Sequence, residues 1–261
     1  GIAEGHAVSM AAGMAKQGVK PVVAIYSSFL QRSYDMLIHD VSLQRLHVVL
    51  AVDRAGLVGQ DGETHHGVFD VSYLCSVPHM AVLCPSSFAE LKDMLELAIY
   101  RISGPAAVRY PKGGEGLYKD STAKLPAARL REGTDITIVS YGIMINQALS
   151  AADMLAEKGI SAEVVKLNLI NPLDEKTVLA SLERTGRLIV AEDVCSAGCV
   201  GSRILAAVSA SGMALKGARL LNLGSGVVTH GTVEELLALN GLDARGIVDA
   251  AMELAVESGG R

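Results

Sequence analysis

Short apolar runs alternate along this chain with longer segments in which apolar and polar residues are mixed. In the first half, continuous apolar runs predict buried parallel strands at residues 21–26, 47–52, 80–84 and 106–110. The segments between and before them have helical character at residues 7–15, 30–43 and 87–101. Because strands and helices alternate, this half predicts a layered α/β domain.

The same alternation continues in the second half. Strands are predicted at residues 136–140, 162–167, 187–191 and 219–223, with helices at 144–158, 175–185 and 199–211. Residues 113–133 contain Lys, Gly, Pro and Glu with little periodicity, which is typical of a surface linker. We therefore predict an α/β fold with two parallel or mixed sheets, in domains at 1–115 and 134–261 joined by a linker at 116–133.

Composition narrows the function to small-molecule chemistry. The net charge is -5 and no basic run occurs, which argues against a nucleic-acid partner. No apolar stretch reaches the roughly 18 residues that span a bilayer, so we expect a soluble protein without a membrane partner. The four cysteines follow no CxxC spacing, which favours reduced thiols in the cytoplasm over disulfides, and a metal site at Cys195 and Cys199 has little support.

The beginning of the chain is unusual for a domain. The first residue is Gly rather than Met, and a helix-forming segment follows at once with no strand before it. We expect that the sequence starts inside a domain and that an upstream portion is absent.

The most polar segment, residues 53–70, follows the buried strand predicted at 47–52. It holds four glycines and the polar side chains Arg54, Asp61, Glu63, His65 and His66. Open α/β sheets bind ligands at the carboxyl ends of their strands, so this segment predicts part of an active site.

Four ordered motifs resemble the 1-deoxy-D-xylulose-5-phosphate synthase family. They are Gly-Ile-Ala-Glu-x-His-Ala at residue 1, Ile-Tyr-Ser-Ser-Phe-Leu-Gln-Arg-Ser-Tyr-Asp at 25, Asp-Arg-Ala-Gly-Leu-Val-Gly-x-Asp-Gly-x-Thr-His at 53 and Arg-Tyr-Pro-Lys-Gly at 109. The resemblance implies a transketolase-like pyrimidine-binding domain followed by a transketolase C-terminal-like domain. It also implies a thiamine diphosphate-dependent transferase that condenses pyruvate with D-glyceraldehyde 3-phosphate through a cofactor carbanion and releases CO2, for isoprenoid, thiamine and pyridoxal biosynthesis.

The same resemblance implies a further, N-terminal diphosphate-binding domain as partner. The chain has no Gly-Asp-Gly motif followed by Asn, with which the superfamily holds Mg2+ and the cofactor diphosphate, so the magnesium ligands are expected in that domain and none here. We therefore expect this chain to be inactive alone and the complete protein to be a homodimer.

Two residues match the family positions that contact the cofactor. Glu4 resembles the carboxylate that hydrogen-bonds the aminopyrimidine N1′ and promotes loss of the thiazolium C2 proton, and Phe29 resembles the aromatic residue that stacks on the aminopyrimidine. The alternatives are a helix-N-terminal glutamate favoured by the helix dipole and a plain core phenylalanine. Gly5 stands where Gln is common, which weakens the start of the helix, and His6 is as well explained by packing.

Three cations match the family's phosphate-contacting positions, since a phosphate gains from charge-assisted hydrogen bonds. They are Arg54 and Lys112, with Arg32 nearby, and the alternative for each is a surface salt bridge. At Lys112 the family more usually has Arg, so the charge is kept but the bidentate fork is lost.

The acceptor channel of the family is lined by residues that correspond to Tyr26, Asp61 and His65. An imidazole exchanges protons near neutral pH, so His65 is also a catalytic candidate. His66 is expected to face elsewhere, because neighbouring side chains of an extended segment point to opposite sides.

The second domain contains no residue pattern that indicates chemistry. Its Asn171-Pro-Leu-Asp174, Glu192-Asp193 and His230-Gly-Thr232 segments resemble family segments that support folding and dimer contacts. Two other functions stay open: a split transketolase-like subunit that transfers a ketol unit together with a separate diphosphate-binding chain, and a non-catalytic scaffold that binds no cofactor.

Overall fold

The computed structural model describes residues 2–259. Gly1, the first residue of the Gly-Ile-Ala-Glu motif, lies outside the described residues, as do residues 260 and 261, which end the predicted second domain. Two five-stranded sheets with helices packed against them make up the fold. The predicted α/β class with two parallel or mixed sheets is confirmed.

Four strands of the first sheet come from the first half of the chain and run parallel. They are β1 (Val22–Tyr26), β2 (Val49–Asp53), β3 (Ala81–Leu83) and β4 (Ala106–Arg109). The second half supplies the other strands: β5 (Ala127–Arg131), β6 (Ile136–Tyr141), β7 (Ala162–Leu167), β8 (Leu169–Asn171), β9 (Arg187–Ala191) and β10 (Gly217–Leu221). The first sheet has the order β1-β2-β4-β3-β8, so its last strand comes from the second half and pairs antiparallel with β3.

The second sheet has the order β10-β9-β6-β7-β5. Its first four strands are parallel, and β5 pairs antiparallel with β7 although it lies within the segment predicted as a linker. The strand predicted at 219–223 begins two residues earlier, at Gly217, because its register is set by pairing with β9 from Arg187 onward. This edge strand is only half-buried along its length, so its apolar pattern is a weak guide to its ends.

Ten α-helices accompany the strands within residues 2–259. They are α1 (Glu4–Lys16), α2 (Ser27–Leu30), α3 (Tyr34–Met36), α4 (Asp70–Ser76), α5 (Phe88–Tyr100), α6 (Ile145–Glu157), α7 (Glu175–Thr185), α8 (Val200–Ser211), α9 (Val233–Leu239) and α10 (Ala244–Gly259). Most of the predicted helices are found within a few residues of their expected ends, but α4, α9 and α10 were not predicted.

The helix predicted at 30–43 is a series of short, irregular helical turns. It starts earlier, with α2 directly after β1, continues through a 3-10 turn (Gln31–Ser33) and α3, and ends in a π-helical segment (Leu37–Ser42). The Tyr73 hydroxyl donates to the Ser27 carbonyl at 2.9 Å, which ties the first turn to α4. This early start fixes the direction in which Phe29 leaves the carboxyl end of β1.

The main hydrophobic core is shared by the two halves of the chain. It joins Leu50 and Leu74 of the first half to Val139 and Leu188 of the second in one contiguous cluster of buried side chains. The sheets are therefore not packed as two independent cores, and the carboxyl ends of the first sheet's strands stand next to the second domain.

Candidate functional site

The candidate residues gather at the carboxyl ends of three neighbouring parallel strands. Tyr26 ends β1 opposite Asp53, which ends β2, and Arg54 follows directly. Arg109 ends β4 beside them, and Lys112 follows it by three residues. This is the edge at which open α/β sheets bind ligands.

Three aromatic side chains form the centre of the site. The rings of Tyr26 and Phe29 are stacked, with centroids 5.2 Å apart and an interplanar angle of 20°. His65 meets Phe29 edge-on at 5.3 Å, and its Nδ1 lies 2.9 Å from the Thr64 hydroxyl. Such ring pairs restrict one another's orientation, so Phe29 is held from two sides.

Glu4 and Arg32 form one end of the site. Glu4 is the first residue of α1, and its Oε1 lies 3.7 Å from Arg32 Nη1. The Arg32 guanidinium lies 5.4 Å from the centre of the Phe29 ring, within the range of a cation–π contact. The Glu4 side chain is only 15% exposed, and its second oxygen, Oε2, is buried with no hydrogen-bond partner among the described residues.

Arg54 and Lys112 form the other, cationic end. The Arg54 guanidinium lies 3.8 Å from the centre of the Tyr26 ring and donates to Asp53 Oδ2 at 2.6 Å. Asp61 accepts from Lys112 Nζ at 2.5 Å and lies 3.6 Å from Arg54 Nε. The hydrogen bond from Lys112 lowers the pKa of the Asp61 carboxyl below its ordinary value, with smaller contributions from the charges of Lys112 and Arg54.

The structure thus brings together all eight residues singled out in the sequence. An unbroken series of contacts runs from Glu4 through Arg32, Phe29, Tyr26, Arg54 and Asp61 to Lys112, and His65 joins this series at Phe29. Aromatic rings lie in the middle, a partly unsatisfied carboxylate at one end and two cations at the other. This arrangement suits a ligand with an aromatic ring system and a second ligand that carries a phosphate.

The neighbouring residues discussed with them lie outside this series. His66 is buried, where its Nδ1 accepts from the Val58 N–H at 3.2 Å and its Nε2 donates to the Thr229 carbonyl at 3.2 Å. His6 is exposed on α1. Gly5 faces α3, since a Cβ at this position would lie 2.9 Å from Met36 Cε. The absence of a side chain at position 5 therefore lets these two helices approach closely.

Three buried charged residues behind the site were missed by sequence reasoning. Arg109 Nε donates to Asp70 Oδ2 at 2.9 Å, and its Nη2 lies 4.0 Å from Asp193 Oδ1 in the second domain. Burial on its own lowers the pKa of Arg109 and is the largest single effect, but Asp70, Cys84, Asp193 and Tyr141 together outweigh it, and the pKa lies well above its ordinary value. The signal for Arg109 and Asp193 in the sequence was charge at or just after the end of a predicted buried strand, where packing alone requires none. Asp70, the first residue of α4, had no such signal.

A cavity of about 280 Å³ opens beside the cationic end. Its lining includes Arg54, Lys112 and Tyr110 on one side and Ser86 and Phe88 at the start of α5 on the other. The Ser86 Oγ is buried and has no hydrogen-bond partner in the described part of the chain. Space for a small molecule is therefore available next to both cations.

Within residues 2–259, no group of three or more His, Cys, Asp or Glu side chains is placed to hold a metal ion. In the same part of the chain, no helix is both long enough and apolar enough to cross a membrane. All four cysteines are free thiols.

Two family models match the chain. Residues 1–114 match the transketolase pyrimidine-binding domain, and residues 126–247 match the transketolase C-terminal domain. Residues 115–125 lie between the two matches and precede β5; four strands of the first sheet come before this segment, and β8 and the whole second sheet come after it.

Curated relatives are named 1-deoxy-D-xylulose-5-phosphate synthase. The protein of that name from Chlorobium luteolum is 44% identical over 260 residues, which cover 97% of this chain and 41% of the relative. The one from Desulforudis audaxviator is 46% identical over 257 residues, which cover 96% of this chain and 40% of the relative. The chain thus spans about two fifths of the length of these relatives.

A solved structure described as a split gene transketolase, inactive beta4 tetramer, has a similar fold. It superposes with a TM-score of 0.83 at 26% identity, and the match covers 97% of this chain and 82% of that one.

Proposed function

Because the chain belongs to the transketolase family and carries its pyrimidine-binding and C-terminal domains, we propose that it forms part of a 1-deoxy-D-xylulose-5-phosphate synthase. The complete enzyme would condense pyruvate with D-glyceraldehyde 3-phosphate and release CO2, which supplies isoprenoid, thiamine and pyridoxal biosynthesis. The observation that carries this proposal is the single series of contacts from Glu4 to Lys112.

The cofactor end of the site fits thiamine diphosphate. Glu4 has a buried oxygen without a hydrogen-bond partner, which a ring nitrogen of the aminopyrimidine would satisfy, and an unpaired buried carboxylate oxygen is otherwise costly. Phe29 would orient the ring by stacking, because Tyr26 and His65 already hold its own ring in place. When bound, the cofactor supplies a nucleophilic carbon for pyruvate. Mg2+ and the diphosphate would be held by residues outside this chain.

The cationic end fits the phosphate of the acceptor. Arg54 has a buried Nε that makes no hydrogen bond within residues 2–259, and Lys112 is 40% exposed, so both retain donor capacity for phosphate oxygens. Arg32 lies farther along, against Glu4. Between the two ends, His65 would exchange a proton with a substrate oxygen, and Tyr26 and Asp61 would line the path of the acceptor.

The test uses the complete protein encoded by the native gene, with its cofactor, pyruvate and D-glyceraldehyde 3-phosphate. The change Glu4→Gln keeps the shape of the side chain but removes its charge, and we expect CO2 release to fall by about 100-fold or more. Glu63→Gln is the matched control, because Glu63 is an exposed carboxylate outside the series of contacts and its loss should leave the rate within about twofold. Near-normal CO2 release by the Glu4 variant would remove Glu4 from the proposed role.

A second function is favoured by the solved split-gene transketolase, since this chain covers 82% of that protein. In this alternative, the chain would pair with a separate diphosphate-binding chain and transfer a two-carbon ketol unit. Turnover of xylulose 5-phosphate or fructose 6-phosphate without use of pyruvate would support it. Failure of the completed assembly to bind thiamine diphosphate in a calorimetric titration would instead support a non-catalytic scaffold.

The mass of the native polypeptide separates the first two alternatives. We expect a mass more than twice the 27.3 kDa of this chain for a single-chain synthase. A native mass close to 27.3 kDa would support a subunit that needs a partner chain. Native mass spectrometry of the same sample tests the proposed homodimer.

A further inference from the structure

The segment between β2 and α4, residues 54–69, carries three of the eight candidate residues. These are Arg54, Asp61 and His65, and we call the segment the site loop. It contains one short helical turn, at Gly59–Asp61. At its two ends, Gly56 and Gly67 exchange backbone hydrogen bonds at 2.9 and 2.8 Å, and the Ala55 N–H donates to the Tyr110 carbonyl at 3.0 Å. The rest of its path depends on contacts with other parts of the chain.

The strongest of these contacts comes from Asp193, which follows β9 in the second domain. Its carboxylate occupies the space beside Gly56, where a Cβ would lie 1.7 Å from Asp193 Oδ2. Gly56 has a φ of 77°, a conformation that favours glycine, and the neighbouring Leu57 N–H lowers the pKa of the Asp193 carboxyl against the effect of burial. The Asp193 carboxylate of the second domain thus packs closely against the backbone at Gly56, two residues after Arg54.

The second domain also contacts the second arm of the site loop, which leads to α4. The Cys195 N–H donates to the Val68 carbonyl at 2.9 Å. His66 donates to the Thr229 carbonyl while it accepts from the Val58 N–H, both at 3.2 Å, so one buried imidazole joins the loop to itself and to the second domain. Both arms of the site loop therefore contact the second domain, in addition to the backbone hydrogen bonds that join the arms to each other.

The burial of the Asp193 carboxylate is energetically unfavourable. Asp193 is 5% exposed, and its only cationic neighbour among the described side chains is Arg109, at 4.0 Å, which is already hydrogen-bonded to Asp70. Burial raises the pKa of the Asp193 carboxyl, against the opposing effect of Arg109. An apolar residue would fill this volume without the cost of burying a charge, so the carboxylate is explained by the backbone groups and the guanidinium it holds.

We propose that Asp193 is a positioning residue, through which the second domain sets the conformation of the site loop and hence the affinity for the phosphorylated acceptor. This inference rests on the function proposed above. It assigns a role in substrate binding to a domain in which the sequence indicated only folding and dimer contacts.

The first test is hydrogen–deuterium exchange of the complete native protein and its Asp193→Ala variant. We expect amides of residues 55–68 to exchange at least about tenfold faster in the variant, while those of β6 and β7 keep their rates. Exchange that is unchanged in the site loop, or that rises equally in all peptides together with a lower melting temperature, would overturn the proposal. This measurement needs no catalytic activity, so it remains decisive if the proposed reaction is wrong.

The second test compares the KM for D-glyceraldehyde 3-phosphate with the KM for pyruvate, in wild type and in Asp193→Ala. For Asp193→Ala we expect the KM for D-glyceraldehyde 3-phosphate to rise on the order of 10- to 100-fold, with the KM for pyruvate changed by less than about twofold. Equal rises in both KM values, or no rise in either, would contradict a positioning role at the acceptor site. Wild-type protein without activity on these substrates would instead reject the proposed function.

Two further variants distinguish a positioning role of Asp193 from a general loss of stability. Asp193→Asn keeps an acceptor for the Leu57 N–H and should give effects between wild type and alanine, which also covers failure of the alanine variant to fold. Asp174→Ala is the matched control, because Asp174 caps α7 in the same domain by accepting from the Thr177 N–H, and α7 packs on β6, β7, β9 and α8 rather than on the site loop. It should lower stability without changing the acceptor KM.

Discussion

At the scale of single residues, Arg54 depends most on its immediate neighbour. Its φ is 58°, which is uncommon for a residue with a side chain, and its own N–H donates to Asp53 Oδ1 at 2.6 Å. The guanidinium returns to the other oxygen of the same carboxylate. Asp53 therefore compensates for the unfavourable backbone and aims the side chain over Tyr26, which explains why these two residues are adjacent.

Lys112 offers a test of the cationic end, because it stands where the family more usually has Arg. Its ammonium makes one short contact with Asp61, whereas a guanidinium would hold Asp61 and a phosphate oxygen at once. We expect Lys112→Arg to lower the KM for D-glyceraldehyde 3-phosphate by roughly three- to tenfold, the effect of one added charge-assisted hydrogen bond, with an unchanged KM for pyruvate. Steady-state kinetics of the complete protein measure both values.

The control for this change is Lys119→Arg. Lys119 is an exposed lysine that pairs with Glu115, and it lies outside the series of contacts, so the same substitution there should not alter either KM. A lower KM for pyruvate in Lys112→Arg, or an unchanged KM for the acceptor, would place the phosphate elsewhere.

The sequence predicted well which residues come together in the site. It did not predict the contacts that fix the position of those residues. Tyr26 and Arg54 follow apolar runs that specify neighbouring parallel strands, so their proximity follows from the order of the chain. Asp193 could not be found in this way, because it meets Gly56 through the packing of one domain on the other. Nothing local in the sequence encodes that contact.

At the scale of elements, β8 is the clearest case of a structure that its own sequence does not specify. It has three residues, too few to show a periodicity, and it belongs to the sheet of the other domain. Asn171 Nδ2 donates to the Met80 carbonyl at 2.6 Å, and Arg203 donates to the Ile170 carbonyl at 2.8 Å and to Asn171 Oδ1 at 3.0 Å. These contacts hold the strand at the edge of β3.

The same difference separates the predicted strands from the missed ones. Central strands such as β2 and β6 are buried on both faces, so their continuous apolar runs predict them from the sequence. Of the four partly exposed edge strands, β5 and β8 were missed and β10 was displaced, because they take their position from a partner. The fourth, β1, was predicted, because its sequence is a continuous apolar run. Long-range pairing, rather than local propensity, decided the other three.

A buried ion pair links α5 to β7 and gives a prediction about stability. Lys166 Nζ lies 2.8 Å from Glu90 Oε1, and both side chains are fully buried. Tyr118 and Thr122 of the connecting segment also donate to the same oxygen. Removal of Lys166 leaves the buried Glu90 carboxylate without its counter-charge, so we expect Lys166→Met to lower the free energy of unfolding by about 3–5 kcal/mol.

Urea denaturation of the chain measures this loss. Arg129→Met is the control, because the Arg129–Glu132 pair is exposed and should contribute less than about 1 kcal/mol. A double variant that also changes Glu90 to Leu should recover part of the stability. If Lys166→Met were no more harmful than the control, the buried pair would not be what joins these elements.

The pair also predicts a dependence of stability on pH. Burial alone raises the pKa of Glu90, but Lys166 and the N–H groups of Thr122 and Ser86 outweigh it, and the pKa lies below its ordinary value. A carboxyl whose pKa is lower in the folded state stabilises the fold above its unfolded pKa of about 4.3, and this stabilisation is lost as the pH falls through the folded pKa. We expect the advantage of wild type over Glu90→Gln in urea denaturation to be full at pH 7 and to shrink below about pH 4. An advantage independent of pH would show that the charge of Glu90 does not matter.

At the scale of the whole molecule, the two domains complete each other. The first sheet takes its last strand from the second half of the chain, and the main core contains side chains of both. The buried charges Arg109 and Lys166 each meet a carboxylate on the other side of the boundary. Separation would expose Leu83 beside β8, leave Lys166 without Glu90 and remove Asp193 from Arg109, which would keep only Asp70, so neither domain retains its native surroundings alone.

We therefore expect the 261-residue chain to unfold in one cooperative transition, although the family models divide it into two domains. Domains that share a core and buried charges cannot unfold one at a time without paying nearly the full cost of both, so an intermediate with one folded domain is not populated. Scanning calorimetry should give a calorimetric enthalpy equal to the van't Hoff enthalpy, and fluorescence of the tyrosines, which lie in both halves, should follow the same curve. Two resolved transitions would show that each domain is stable by itself. In that case, the contacts of Asp193 with the site loop would have to form between independently folded units, and Lys166→Met would shift their docking rather than the melting of the whole chain.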